Sequence, residues 1–208
     1  MPAPAKEKTH ILTLEDISEY EGEKIKGSRF IATIGPASSP EPVLARVTEL
    51  REAHPGACHH CWAWRGDGEN AFRFTDDGEP TGSAGRPILN MIDGRELTDV
   101  FAIVSRYFGG TKLGTGGLVR AYGGAAGEAL DQATIVETLI RTQLSLNFSY
   151  DLEPLVRAEL TAVDAEIRDA QYTDTVALEV AVPKGDAAAF VASLSERTAG
   201  RVVAEESV

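Results

Sequence analysis

Residues 106–122 read RYFGGTKLGTGGLVRAY, with five glycines and the three cations Arg106, Lys112 and Arg120. Residues 100–127, around this string, hold no carboxylate. A glycine-dense loop entering a helix offers unbonded backbone N–H groups and the positive end of the helix dipole. The chemistry expected there is anion binding, with phosphate first among the anions. Arg106, Lys112 and Arg120 would supply charge, and Gly114, Gly116 and Gly117 would supply backbone donors. The string is no P-loop, because Lys112 precedes Gly114 instead of following the last glycine. It is no dinucleotide fingerprint either, because Val119 stands where the third glycine belongs. The plain alternative is a tight strand-to-helix turn that uses glycine for positive φ.

Two further clusters bear on catalysis. Asp76-Asp77-Gly78-Glu79 places three carboxylates within four residues. Asp76, Asp77 and Glu79 can hold magnesium, which takes oxygen ligands and keeps several waters. They can equally pair with the cations of the glycine loop, or form a solvated acidic turn. No cofactor is expected, magnesium being the one these residues would admit. Cys58-His59-His60-Cys61 invites a zinc or redox reading. On a strand, however, Cys58 and His60 point one way and His59 and Cys61 the other, so four ligands do not converge. A redox Cys-x-x-Cys wants a helix start, and these flanks are strand-like. His59 alone can act near the glycine loop as base or donor, and a packed strand histidine is the plainer reading. The candidate catalytic residues are therefore His59, Asp77 and Glu79. Trp62 and Trp64 share a strand face and either stack on a base or sugar or belong to the core.

The elements that must carry these residues follow from periodicity. Residues 28–35 form a first strand. A helix follows near Ser39-Pro40, with Ser38 and Glu41 at capping-box spacing, and Val43, Leu44, Val47 and Leu50 on its apolar face. Residues 58–65 and 71–75 are strands around the Gly66-Asp67-Gly68 turn. Pro87–Asp93 is a short helix stopped by Gly94. Residues 100–108 are a buried strand, and a helix starts at Leu118. Beyond residue 135 come one long strand over 138–150, a helix over 151–163, a hairpin across Thr173-Asp174-Thr175, a helix capped by Asp186, and a closing strand at 201–205. That β-α-β-β-α-β order predicts a ferredoxin-like domain.

Composition bounds the rest. The 208 residues carry a net charge of −12, so any polyanion site must be a local basic patch. Residues 135–208, with 6 basic and 13 acidic residues, are the poorer candidate for phosphate contact. Two cysteines imply no disulfide framework. The N-terminus lacks the apolar core of a signal peptide, and no run is apolar enough to span a bilayer. The expectation is a cytoplasmic protein with no membrane partner, organised as a flexible tail at 1–17, a first domain at 18–134 and a second at 135–208.

Three strings together, residues 75–87 (TDDGEPTGSAGRP), 106–122 and more weakly 54–65 (HPGACHHCWAWR), resemble the YigZ/Impact family in its two-domain bacterial form. The resemblance implies an α+β protein. Its N-terminal α/β domain would be like domain 2 of ribosomal protein S5, a shape shared with domain IV of elongation factor G. Its C-terminal ferredoxin-like (βαββαβ) domain would be like domain V of that factor. The eukaryotic Impact relatives regulate translation by binding a partner of an initiation-factor kinase system. The family's signature patch, carried over by position, comprises His59, Asp76, Asp77, Glu79, Arg106, Lys112 and Arg120. His60 stands where asparagine is expected, and Trp62 and Trp64 where tyrosine is common. The function these observations imply is a translation-associated regulatory protein with a site for RNA phosphate or a nucleotide at the glycine loop. RNA, a ribosome-associated component or a protein would be the partner. A metal-assisted phosphoryl-transfer enzyme or phosphoester hydrolase, and a protein-interaction module, are the alternatives.

Overall fold

The computed structural model describes residues 9–206. In chain order the elements are β1 (His10–Leu14), β2 (Ser18–Glu21), β3 (Arg29–Pro36), α1 (Glu41–Ala53), β4 (His59–Arg65), β5 (Phe72–Thr75), α2 (Gly85–Asp93), β6 (Val100–Tyr107), α3 (Thr115–Gln132), β7 (Ile135–Leu139), β8 (Arg141–Phe148), a 3-10 turn (Tyr150–Leu152), α4 (Glu153–Ala162), β9 (Glu166–Tyr172), β10 (Val176–Pro183), α5 (Lys184–Thr198) and β11 (Val203–Glu206). The chain divides into two compact units, Leu12–Glu137 and the combination of Met1–Ile11 with Thr138–Val208. The fold is mixed α+β, as expected.

The first unit is built on an antiparallel five-stranded sheet in the order β2-β3-β6-β4-β5. Strand alternation gives this sheet two apolar faces. Phe30, Ala32 and Ile34 of β3, Cys61 and Ala63 of β4, and Val100, Ala102 and Val104 of β6 share one face with buried residues of α2 and α3. Trp62 and Trp64 of β4, with Phe101 and Ile103 of β6, pack with Val43, Val47 and Leu50 of α1 on the other. The tryptophans are core residues, and Trp64 Nε1–H donates to Ala37 O at 2.8 Å. Leu44, expected on the buried face of α1, is 47% exposed.

The second unit has sheet order β11-β8-β10-β9, all antiparallel. With strands numbered by their place in the βαββαβ string this is 4-1-3-2, the ferredoxin-like arrangement. Leu144, Leu146 and Phe148 of β8 and Val176, Leu178 and Val180 of β10 meet Val156 and Leu160 of α4 and Phe190 and Leu194 of α5.

Several boundaries differ from expectation. His10–Leu14 form β1, with Ile11 and Leu14 buried, where a loose tail was expected. Its partner strand is β7, more than a hundred residues on, so local sequence gives no sign of the pairing. Residues 1–8 of that tail lie outside the described residues. The long strand expected over 138–150 is broken at Ile140, whose N–H donates to Thr9 O and whose carbonyl accepts from Lys184 N–H. The last helix begins at Lys184, so Asp186 sits in its first turn and Pro183 occupies the cap position. The helix after the glycine loop starts at Thr115, three residues before Leu118, and absorbs Gly116 and Gly117.

Candidate functional site

The register of the first sheet sets up the site. On neighbouring strands, Arg106 pairs with both Phe30 and His59. These three side chains therefore form a row across β3, β6 and β4 on the face shared with α2 and α3. One step along, Ser105 pairs with His60 on the opposite face, where His60 Nδ1 lies 2.8 Å from Ser105 Oγ. Burial, then the positive charge of Arg51, keeps the His60 imidazole below its ordinary pKa. The predicted split of His59 from His60 is thus observed. Cys58 departs from prediction: it precedes β4, its Sγ–H donates to Arg106 O at 3.2 Å, and it borders the same cavity as His59.

The loop between β5 and α2 closes over this row. Asp76 fixes its base. One carboxylate oxygen accepts the N–H groups of Ala84 and Gly85 at 2.9 and 2.8 Å, and the other accepts that of Gly82 at 2.8 Å. Burial pushes this carboxyl up, but the three amides together hold it below the ordinary carboxylate value. Asp77 adopts φ 42° and ties the loop to its neighbours. It accepts from His60 N–H at 2.6 Å and from Arg51 Nη2 at 2.6 Å. Two residues on, Glu79 drops its carboxylate onto the sheet. Its Oε1 accepts from Arg106 Nη1 at 2.5 Å and from the Tyr122 hydroxyl of α3 at 2.7 Å. The Glu79 and Arg106 side chains are only 5% and 6% exposed. Burial first, then Cys61 and Glu79, raises the Tyr122 phenol well above its usual range, so the hydroxyl stays a donor. Burial pushes the neighbouring Cys61 thiol up to about 12, so it stays protonated and inert.

His59 Nδ1 lies 2.8 Å from Asp77 O. A carbonyl only accepts, so Nδ1 carries the proton, and Nε2 of the neutral ring holds a lone pair. That Nε2 lies 4.0 Å from Glu79 Oε1.

These groups border a cavity of about 580 Å³ lined by Cys58, His59, Glu79, Pro80, Arg106, Phe108, Lys112, Leu113, Gly114, Thr115 and Leu118. Its far wall is the head of α3. Gly114 occupies the cap position at φ 71°, and among the described residues no side chain caps the helix. The first helix amide to bond backward is that of Leu118, to Gly114 O. The amides of Thr115, Gly116 and Gly117 precede it and are left open, as the first turn of any uncapped helix leaves them. Arg106 lies under the Phe108 and Phe30 rings, its guanidinium carbon 5.5 and 5.7 Å from their centres. Its Nε is one of two buried side-chain polar atoms without a hydrogen-bond partner among the described residues. Lys112 is exposed at the rim.

Most of the expected residues therefore converge: His59, Glu79, Arg106, Lys112 and Gly114 border one cavity. Asp76 and Asp77 shape it from behind. Gly116 and Gly117 follow in α3 but do not line it. Arg120 does not join them. It lies two residues, about 200° of helix rotation, past Leu118. There it borders a separate hollow of about 340 Å³ with Tyr20, Glu23 and Glu128. The three carboxylates do not converge on a metal position, and among the described residues no group of three His, Cys, Asp or Glu does. Cys58, Phe108 and Tyr122 are members of the site that residue chemistry alone missed. The usable signal for Tyr122 is a single phenol among the alanines, glycines and leucines that α3 buries.

A family model described as the Impact N-terminal domain matches residues 26–130, and one described as a domain of unknown function (DUF1949) matches residues 146–201. The IMPACT family member YigZ of Escherichia coli (strain K12) is 39% identical over 181 residues, covering 86% of this chain and 89% of that protein. The IMPACT family member YvyE of Bacillus subtilis (strain 168) is 32% identical over 190 residues, 91% of this chain and 87% of the relative. A solved structure described as "Crystal structure of an hypothetical protein" superposes with a TM-score of 0.75 at 36% identity, covering 95% of this chain and 97% of its own.

Proposed function

The chain belongs to the Impact family, and from that premise we propose that it is a cytoplasmic regulatory protein linked to translation. It binds the phosphate of RNA or of a nucleotide in the cavity between the Asp76–Ala84 loop and the head of α3. The observation that carries this reading is Arg106. Its guanidinium lines the cavity beside an uncapped helix start, so positive charge and open backbone amides meet at one hollow. Lys112 adds the exposed positive charge at the rim. Glu79 cancels the charge of Arg106 and fixes its orientation, so it acts as a positioning group and not as a magnesium ligand. The translation link rests on the family resemblance, which also implies a second unit like a domain of elongation factor G.

The test is titration of a fluorescent single-stranded RNA at several salt concentrations. Binding should weaken severalfold with Lys112→Ala and stay unchanged with Arg120→Ala, because Arg120 borders the other hollow. No binding, or binding indifferent to Lys112→Ala, rejects the RNA version of this reading and leaves only a nucleotide as ligand.

One observation favours an enzyme of phosphoryl transfer or phosphoester hydrolysis as the second reading. His59 has its tautomer fixed by Asp77 O, which leaves Nε2 on the cavity side as a proton acceptor. In that reading His59 takes the proton of the attacking hydroxyl or water, Glu79 sits beside it, and α3 holds the phosphate. Turnover of a phosphoester that vanishes in His59→Ala would favour the enzyme. Binding without turnover favours the regulator.

A further inference from the structure

We propose that the cavity is built for one nucleotide held end-on: a phosphomonoester joined to a flat heterocycle, and not a stretch of internal RNA backbone. This rests on the anion reading above and narrows it to a ligand class. Three observations carry it. The first is size. A space of about 580 Å³ is that of a small-molecule pocket, which takes one ligand and not a strand. The second is charge. A groove that tracks a backbone strings cations along its length. Here Arg106 is neutralised by Glu79, and Lys112 is the one lysine at the rim. One terminal phosphate can use Lys112 at the rim, the Arg106 guanidinium in the wall and the open amide of Thr115 together, and its second negative charge suits a helix start better than a diester does. The third is the wall. Beside the donors stand Phe108, Leu113, Pro80 and Leu118. The Phe108 ring has the Arg106 guanidinium 5.5 Å from its centre, yet the residue is 52% exposed. An aromatic surface next to a cation is a platform for a base, and stacking on it tolerates any base identity. A bare phosphate would leave that apolar wall unused.

The experiment is calorimetric titration of the full chain with inorganic phosphate, ribose 5-phosphate, adenosine 5′-monophosphate and uridine 5′-monophosphate. Matched RNA hexamers bearing a 5′-phosphate, a 3′-phosphate or neither complete the set. Both mononucleotides should bind at least tenfold more tightly than ribose 5-phosphate. Phe108→Ala should bring them down to the ribose 5-phosphate level while leaving ribose 5-phosphate and the unfolding midpoint unchanged. Lys112→Ala should weaken every phosphorylated ligand. A phosphorylated hexamer matching the mononucleotides identifies an RNA terminus as the source, and mononucleotides alone identify the free pool; either result supports the proposal. If ribose 5-phosphate binds as tightly as the mononucleotides, the heterocycle part falls while the anion reading stands. If the unphosphorylated hexamer binds best, backbone recognition replaces end recognition. If nothing binds, both readings fall.

Discussion

Glu79 and Arg106 form a buried pair, and buried pairs are asymmetric. Removing one member leaves the other charge without solvent or partner, which costs roughly 3–5 kcal/mol. Glu79→Ala should therefore destabilise the protein by that order, measured as a shift of the urea midpoint. Tyr122→Phe removes one hydrogen bond to a charged acceptor and should cost about 1.5–3 kcal/mol. Because both changes act on one carboxylate, the double variant should lose less than the two losses added together. Equal losses for Glu79→Ala and an exposed control such as Glu52→Ala would contradict the burial of the pair.

Two titrating groups beside the site set the response to acid. The folded state lowers the pKa of both, so each contributes stability that is present above its unfolded value and lost as pH falls through its folded value. For His60 the loss begins below about 6.5, and for Asp76 below about 3.9. His60→Asn should abolish the upper step, since an amide can still reach Ser105 Oγ without acquiring charge. Asp76→Asn should be less stable than the parent at neutral pH, with the gap closing as pH drops below about 4. Urea unfolding at a series of pH values checks both. A gap that widens in acid would contradict the hydrogen bonds assigned to Asp76.

Among the elements, the glycine loop and α3 show what kind of glycine each position needs. A Cβ on Gly109 would lie 1.9 Å from the Gly27 carbonyl carbon, and Gly109 N–H donates to Ser28 Oγ. Gly109→Ala must therefore push two backbones apart. Gly124, exposed on α3, has nothing within 4 Å of its missing Cβ. Gly124→Ala should stabilise by roughly 0.5–1 kcal/mol, because alanine loses less backbone entropy in a helix. Thermal unfolding should show Gly109→Ala well below the parent and Gly124→Ala above it. The same region marks how far the sequence could be read. The split of His59 from His60, the shared face of Trp62 and Trp64 and the ferredoxin-like order all follow from local periodicity. What periodicity does not carry is contact between distant segments. The pairing of β1 with β7, the Tyr122 bond to Glu79 and the rotation that takes Arg120 to another hollow depend on register and helix phase. The start of α3 was misplaced because three glycines in four residues look like loop, although an uncapped helix tolerates them in its first turn.

At the scale of the whole molecule, net charge decides how RNA can be bound at all. A chain of net charge −12 repels a polyanion everywhere except where cations gather, and residues 135–208, with 13 acidic against 6 basic residues, offer no such place by composition. Each phosphate neutralised on a single strand contributes a slope of about −0.7 in log affinity against log salt. With only Arg106 and Lys112 at the cavity, and Arg106 already neutralised by Glu79, the slope for any single-stranded RNA should lie between about −0.7 and −1.5. Lengthening the RNA from six to twenty nucleotides should leave that slope unchanged, since the added phosphates meet an acidic surface. Anisotropy titrations across a salt series measure it directly. A slope steeper than about −3, or one that grows with RNA length, would require a cationic track outside the cavity and would move recognition away from the head of α3.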